Sequence, residues 1–229
     1  MTKKKKLLIT GSEGLIGSKL CNHFSDKYEI LKLDKKLGHD LTDEQYVEDW
    51  FKKNSDLYAM IVCHAHNPLP LEDSTKIEPV EVSLKEIRDY MEVNVVSAFN
   101  MCRHFISKNK SGVIINISSL YGRLSPKHHI YSDYTKPIGY SMSKSALILM
   151  SKYLATYYAS KFRINTVILG GVKDDNFHPD FYDNYAKNVP MGRMMNIEEV
   201  TSVFDFLLDE KSTYVTGTEI VIDGGWTSW

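Results

Sequence analysis

The chain has 229 residues, is 43% hydrophobic and 25% charged, and sets 28 Lys and Arg against 29 Asp and Glu for a net charge of -1. That is enough apolar chain for one sizeable core, and the even charge gives no electrostatic reason to expect nucleic acid or an anionic membrane as partner. No uncharged run is long enough to span a bilayer and no signal peptide precedes the first strand, while Cys21, Cys63 and Cys102 are scattered as reduced thiols of a cytoplasmic protein would be.

Apolar runs near 5–10, 28–33, 57–63, 112–118, 164–169 and 218–222 alternate with helix-period segments near 14–25, 42–53, 83–107, 140–161 and 196–209. Such alternation predicts right-handed β-α-β units and one α/β domain over 1–229, built on a doubly wound parallel sheet. The Lys3 to Lys6 run reads as a solvated, edge-protecting start. The first run feeds directly into Gly11-Ser12-Glu13-Gly14-Leu15-Ile16-Gly17. Strand, glycine turn and helix in that order suit a dinucleotide. Gly11 takes the tight turn, Gly14 lets backbone approach a pyrophosphate, Gly17 permits close packing, and the helix N-terminus offers N–H groups to phosphate. Asp34 closes the second run, roughly 20 residues on, where a carboxylate accepts ribose hydroxyls and repels a 2′-phosphate. NAD(H) is therefore favoured, while Lys35 and Lys36 leave NADP(H) open.

Further along, Cys63, His64 and His66 lie on an extended segment, so their side chains alternate between faces and do not converge on a metal; no metal site is predicted. The stretch 67–82, with Pro68, Pro70 and Pro79, reads as a loop at the edge of the cofactor site. After the apolar run ending in Ser118-Ser119 comes Tyr140-Ser141-Met142-Ser143-Lys144. Four residues apart on a helix, Lys144 can hold its ammonium near the Tyr140 phenol and favour phenolate, which makes an acid/base. The stretch 173–196 reads as a flap over substrate.

In these features the chain resembles the short-chain dehydrogenase/reductase family over nearly its whole length, in its compact form, and the resemblance implies a Rossmann-like fold. It assigns adenine contact to Asp40 in His39-Asp40-Leu41-Thr42, and makes Asn94, Ser119, Tyr140 and Lys144 the catalytic set. Ser12, Glu13, Leu15, Ile16, Leu41, Ala65, Gly170 and Val172 join the cofactor contacts. The implied reaction moves a hydride between a nicotinamide and a ketone or secondary alcohol. Tyr140 exchanges the proton, Ser119 holds the oxygen, Lys144 lowers the Tyr140 pKa and binds ribose, and Asn94 holds a water that links Lys144 to solvent.

Four departures qualify the match. The spacing Gly11, Gly14, Gly17 is that of extended sugar-nucleotide epimerases and dehydratases, an alternative that the chain length opposes. Cys63-His64-Ala65-His66 replaces the usual Asn-Asn-Ala-Gly and predicts a reshaped cofactor floor, and Leu169 replaces a turn proline. The 122–139 stretch is long, carrying Arg123, Lys127, His128, His129, Tyr131, Asp133 and Tyr134, and reads as a substrate loop. With Ser119, Tyr121 and Tyr140, Tyr131 and Tyr134 form the expected substrate set for a small polar, sugar-like or amino-sugar molecule of a surface-glycan pathway. The altered 63–66 segment and Leu169 also keep open a catalytically silent nucleotide-binding subunit. Apolar residues around most of the helix after Tyr140, with Trp226 and Trp229 as anchors, predict a homodimer or homotetramer.

Overall fold

The computed structural model describes residues 3–68, 76–131, 133–177 and 179–229. Pro70, Ser132 and His178, from the three long segments singled out above, lie outside the described residues. Six parallel strands form the sheet: β1 (Lys5–Thr10), β2 (Tyr28–Leu33), β3 (Leu57–Val62), β4 (Gly112–Ser119), β5 (Phe162–Leu169) and β6 (Glu219–Ile222), in the order β2-β1-β3-β4-β5-β6. The interior strands are apolar almost without interruption because helices cover both sheet faces. The edge strands β2 and β6 are only partly buried.

Alternating side chains build two cores. On one face Leu7, Ile9, Ile61 and Ile115 pack with Phe24 of α1 (Leu15–Phe24) and Phe204 of α7 (Thr201–Leu208). On the other, Leu8, Met60 and Ile114 pack with Phe51 of α2 (Glu44–Lys53), Phe105 of α4 (Ser97–Lys108) and Leu147 of α5 (Ile138–Tyr158). Strand order reverses at the β1–β3 neighbourhood, and ligands of such sheets bind at the carboxyl ends of the strands beside that switch. Here those ends carry the glycine turn, the 63–67 segment, Ser119 and the 170–172 turn. Among the described residues no helix is long and apolar enough to cross a membrane.

Three expectations are corrected. The 83–107 segment is not one regular helix: α3 (Leu84–Met91) passes through a π turn, Glu92–Val96, before α4. The 173–196 stretch is not simply a flap, since it contains α6 (Pro179–Ala186), whose Phe181 and Tyr185 are buried. Trp226 is not an exposed anchor; it is 1% exposed and stacks on Tyr185 at 4.5 Å within its own domain, whereas Trp229 is exposed.

The glycine turn offers a test of packing against conformation. A Cβ on Gly17 would lie 2.0 Å from the Gly11 carbonyl oxygen, whereas Gly38, at φ +83°, has nothing within 4 Å. Urea denaturation should show Gly17→Ala losing about 3 kcal/mol or more, and Gly38→Ala about 1 kcal/mol. Equal losses would mean that the α1–β1 approach is not fixed by Gly17.

Candidate active site

At the carboxyl end of β1, Gly11 adopts φ +63°, and a Cβ there would come within 2.7 Å of the His64 backbone nitrogen. Gly14 donates its N–H to the Gly11 carbonyl at 3.1 Å, closing the turn that starts α1. Ser12 is fully buried, yet its Oγ has no hydrogen-bond partner. An orphaned hydroxyl beside a helix N-terminus, in a turn too tight for side chains, fits a pyrophosphate. Asp34, buried just after β2, is held by two backbone groups: its Oδ2 accepts from Glu13 N at 2.9 Å and its Oδ1 from Lys36 N at 2.7 Å. Asp40 spends Oδ1 on the Thr42 backbone N–H and hydroxyl, bonds that hold its carboxyl below the usual range, and Leu41 is buried in the core. Ser12, Glu13, Asp34, Asp40 and Leu41 do not line the cavity described next.

A cavity of about 420 Å³ runs from Gly11, Gly14, Leu15 and Ile16 past Ala65 to Ser119, Tyr140 and Lys144, and on to Gly170 and Val172. Strand β4 delivers Ser119, and α5 presents Tyr140 and Lys144 on one face, one turn apart. The Ser119 hydroxyl, which accepts from the Tyr121 N–H at 3.2 Å, lies beside the Tyr140 phenol and acts to lower its pKa. Lys144 does not act on that phenol as expected. Lys144 Nζ donates to the Ile117 carbonyl at 2.9 Å and lies 5.8 Å from the Tyr140 ring centre. Burial pushes Tyr140 up to about 12, and only the neighbouring Ser119 side chain opposes it. Burial likewise brings Lys144 down to about 8.

Asn94 does not line the cavity; it braces it from behind. Its Oδ1 accepts from His66 N at 2.6 Å, and its Nδ2 donates to the His66 carbonyl at 3.1 Å and to Ser143 Oγ at 2.9 Å. His64 sits between Thr10 Oγ1, 2.7 Å from Nδ1, and Ser97 Oγ, 2.8 Å from Nε2. Desolvation lowers it to about 4, so it is neutral. His66 turns away to face the Tyr90 ring at 4.7 Å.

The substrate set divides. Tyr121 and Tyr131 line the cavity and share a hydroxyl–hydroxyl bond of 2.8 Å, with Phe177, Phe181 and Tyr185 completing an aromatic wall. Tyr134 does not line it, donating instead to the Pro68 carbonyl at 2.9 Å. Arg123 and Lys127 of the long loop also point elsewhere: Arg123 pairs with Glu219, and Lys127 bonds Asn188 and lies over Trp226. Two residues that support or line the cavity carry no mark in the sequence. Ser143 is one more hydroxyl in a helix, and Lys136 reads as a solvated loop lysine although it is buried against Tyr140.

A family model described as enoyl-(acyl carrier protein) reductase matches residues 20–227. The post-translational flagellin modification protein A of Campylobacter coli is 27% identical, with 99% of each chain covered. A glucose 1-dehydrogenase of Gluconobacter oxydans is 31% identical over 73% of this chain and 62% of its own. The crystal structure of a short chain dehydrogenase from Leptospira borgpetersenii with bound NAD+ superposes with a TM-score of 0.84 at 27% identity, covering 98% of this chain and 93% of the other. With a model match over most of the chain and a six-stranded parallel sheet of the same architecture, this chain belongs to the short-chain dehydrogenase/reductase family of NAD(P)-dependent oxidoreductases.

Proposed function

We propose that the protein interconverts a ketone and a secondary alcohol on a small polar substrate, with NAD(H) as the preferred cofactor. The observation that carries this reading is one continuous cavity that joins a phosphate-shaped glycine cradle to buried Ser119 and Tyr140. Bound in that cavity, a nicotinamide supplies or accepts the hydride. Gly11 to Ile16 hold the pyrophosphate and Asp34 the adenosine ribose. Asp40 and Leu41 shape the adenine side, and Ala65, Gly170 and Val172 lie along the ring and its ribose.

Tyr140 is the proton donor in ketone reduction. Its phenol, at about 12, is fully protonated at neutral pH, and it hands its proton to the oxygen that gains charge. Ser119 shares that oxygen and fixes its distance. Lys144, at about 8, is largely cationic at pH 7 and adds positive potential beside the phenol while binding ribose. Asn94 holds the backbone that carries these groups, a positioning role. Alcohol oxidation runs the same proton in reverse.

The fixed carboxylate of Asp34 supports NAD(H) over NADP(H), as does the NAD+ in the Leptospira relative. Aromatic faces and tyrosine hydroxyls suit a sugar or amino-sugar derivative, and relatives named for flagellin modification and for glucose support that class. Val96 at the end of the π turn, Phe99 of α4, and Met142, Leu149, Tyr153 and Tyr157 of α5 are exposed, which supports pairing of two chains there and assembly as a homodimer or homotetramer. Three free cysteines suit a reducing, cytoplasmic setting.

Tyr140→Phe should lower kcat/KM for any ketone the protein reduces by about 10²-fold or more, with the NADH dissociation constant within threefold of the parent; retained turnover would remove Tyr140 from the mechanism. Asp34→Asn should weaken NADH by about tenfold and leave NADPH unchanged or tighter. Fluorescence titration with both nucleotides reads the ratio, and an unmoved ratio would take the cofactor choice away from Asp34.

A further inference from the structure

Lys136 stands just ahead of α5 and is only 7% exposed, yet it lines the cavity beside Tyr140. Its Nζ donates to Asn67 Oδ1 at 2.6 Å and to the Pro68 carbonyl at 3.0 Å, and lies 4.3 Å from the centre of the Tyr140 ring. Two of three ammonium donors are thus committed to neutral acceptors. Among the described residues no carboxylate pairs with it. Asp174, the one carboxylate lining the cavity among those residues, gives its Oδ1 to Asn176 instead. A second ammonium, Lys144, shares the same space.

A buried cation with no counter-ion among the described residues is costly to keep, and a ligand that brings the opposite charge into the cavity removes that cost. We propose that Lys136 determines specificity by binding a carboxylate that the substrate carries close to its reacting carbonyl. One ammonium with one uncommitted donor matches one unit of negative charge, which favours a carboxylate over a phosphate dianion. Because the ammonium lies over the ring of the tyrosine that faces the reacting oxygen, the carboxylate belongs on a carbon near the carbonyl, as in a 3-oxo acid. This inference rests on the oxidoreductase reading of the same cavity.

The pH dependence has a definite sign. Burial, and secondarily Lys144, lowers free Lys136 to about 7. An anion favours the protonated form, so carboxylate affinity is full below pH 7 and falls as pH rises above it. Among the described residues the other titratable groups around this cation and its neighbours are Tyr140, Lys144, Tyr134, Tyr90, His66, Glu86 and Asp174, so variants of Lys136 itself are needed to assign the effect.

The test is calorimetric titration of the full chain, first with NAD+ and then, in the NAD+ complex where no reduction can occur, with acetoacetate and its uncharged counterpart acetoacetamide. At pH 6.5 acetoacetate should bind at least tenfold tighter, and the advantage should shrink severalfold by pH 8.5 while acetoacetamide binding stays level. Lys136→Met should bring the two ligands within threefold at both pH values. Lys136→Gln, which keeps a donor for the Pro68 carbonyl, is the alternative should the first variant not fold. Equal binding of the two ligands, no binding of acetoacetate, or an advantage that survives both substitutions would overturn the proposal. Failure of NAD+ to bind would instead strike the oxidoreductase reading.

Discussion

The reacting end of this molecule depends on where α5 stands relative to the carboxyl ends of β3 and β4, and one buried side-chain amide sets that relation. Asn94 bonds both the N–H and the carbonyl of His66 and reaches Ser143, whose hydroxyl returns to the Tyr140 carbonyl at 2.7 Å. Each such bond is worth about 1 kcal/mol net, but losing the amide would also strand buried polar groups of the 66 backbone. The π turn makes this possible. One extra residue per turn rotates Asn94 out of the regular helical register and aims it at the strand end, a use of local irregularity that recurs at functional sites.

Burial then sets the electrostatics in two opposite directions. It raises the Tyr140 phenol and lowers Lys144 and Lys136, because water is withdrawn from whichever form is charged. A neutral phenol between two poorly solvated cations is an acid waiting for a partner that gains negative charge. The low-dielectric surroundings that make the lysines costly also make their potential at a developing oxyanion stronger than in water. The site therefore stores unfavourable free energy that the two cores, on opposite faces of the sheet, have to outweigh.

Much of this was legible in the chain. Interior parallel strands announce themselves as unbroken apolar runs, and all six strands appear within about two residues of their expected limits. The glycine turn and the Tyr140–Lys144 spacing are local geometry, so sequence carries them intact. What sequence could not carry is tertiary. The stacking of Trp226 on Tyr185 depends on α6 folding back over the cavity, and Tyr134 is diverted by a carbonyl 66 residues away. Lys136 becomes a cavity residue only because Asn67 and Pro68 meet it there, and nothing in its neighbours' identities distinguishes it from the exposed Lys152. The direction of the Tyr140 shift belongs to the same class, since it is decided by desolvation rather than by the lysine next to it in the motif.

The departures at 63–66 and at Leu169 look at first like damage, and the geometry argues otherwise. Ser97 Oγ donates to the Val93 carbonyl at 2.6 Å, so toward His64 it must accept, which places the imidazole proton on Nε2. Nδ1 is then free to accept from the Thr10 hydroxyl, and Thr10 Oγ1 in turn accepts from Cys63 N at 3.1 Å. Every member of the chain has a donor or an acceptor to meet, so neutral His64 ties the end of β1 to α4 with both ring nitrogens occupied. At the other departure, the turn after Leu169 lacks the rigidity of a proline but is held by Gly170 N to the Ile222 carbonyl at 2.8 Å and Gly171 N to the Tyr185 hydroxyl at 2.6 Å. Hydrogen bonds from neighbouring elements replace what the residue type would have supplied. Because the bracing is rebuilt in other chemistry at both places, neither substitution is a reason to read the protein as a silent subunit.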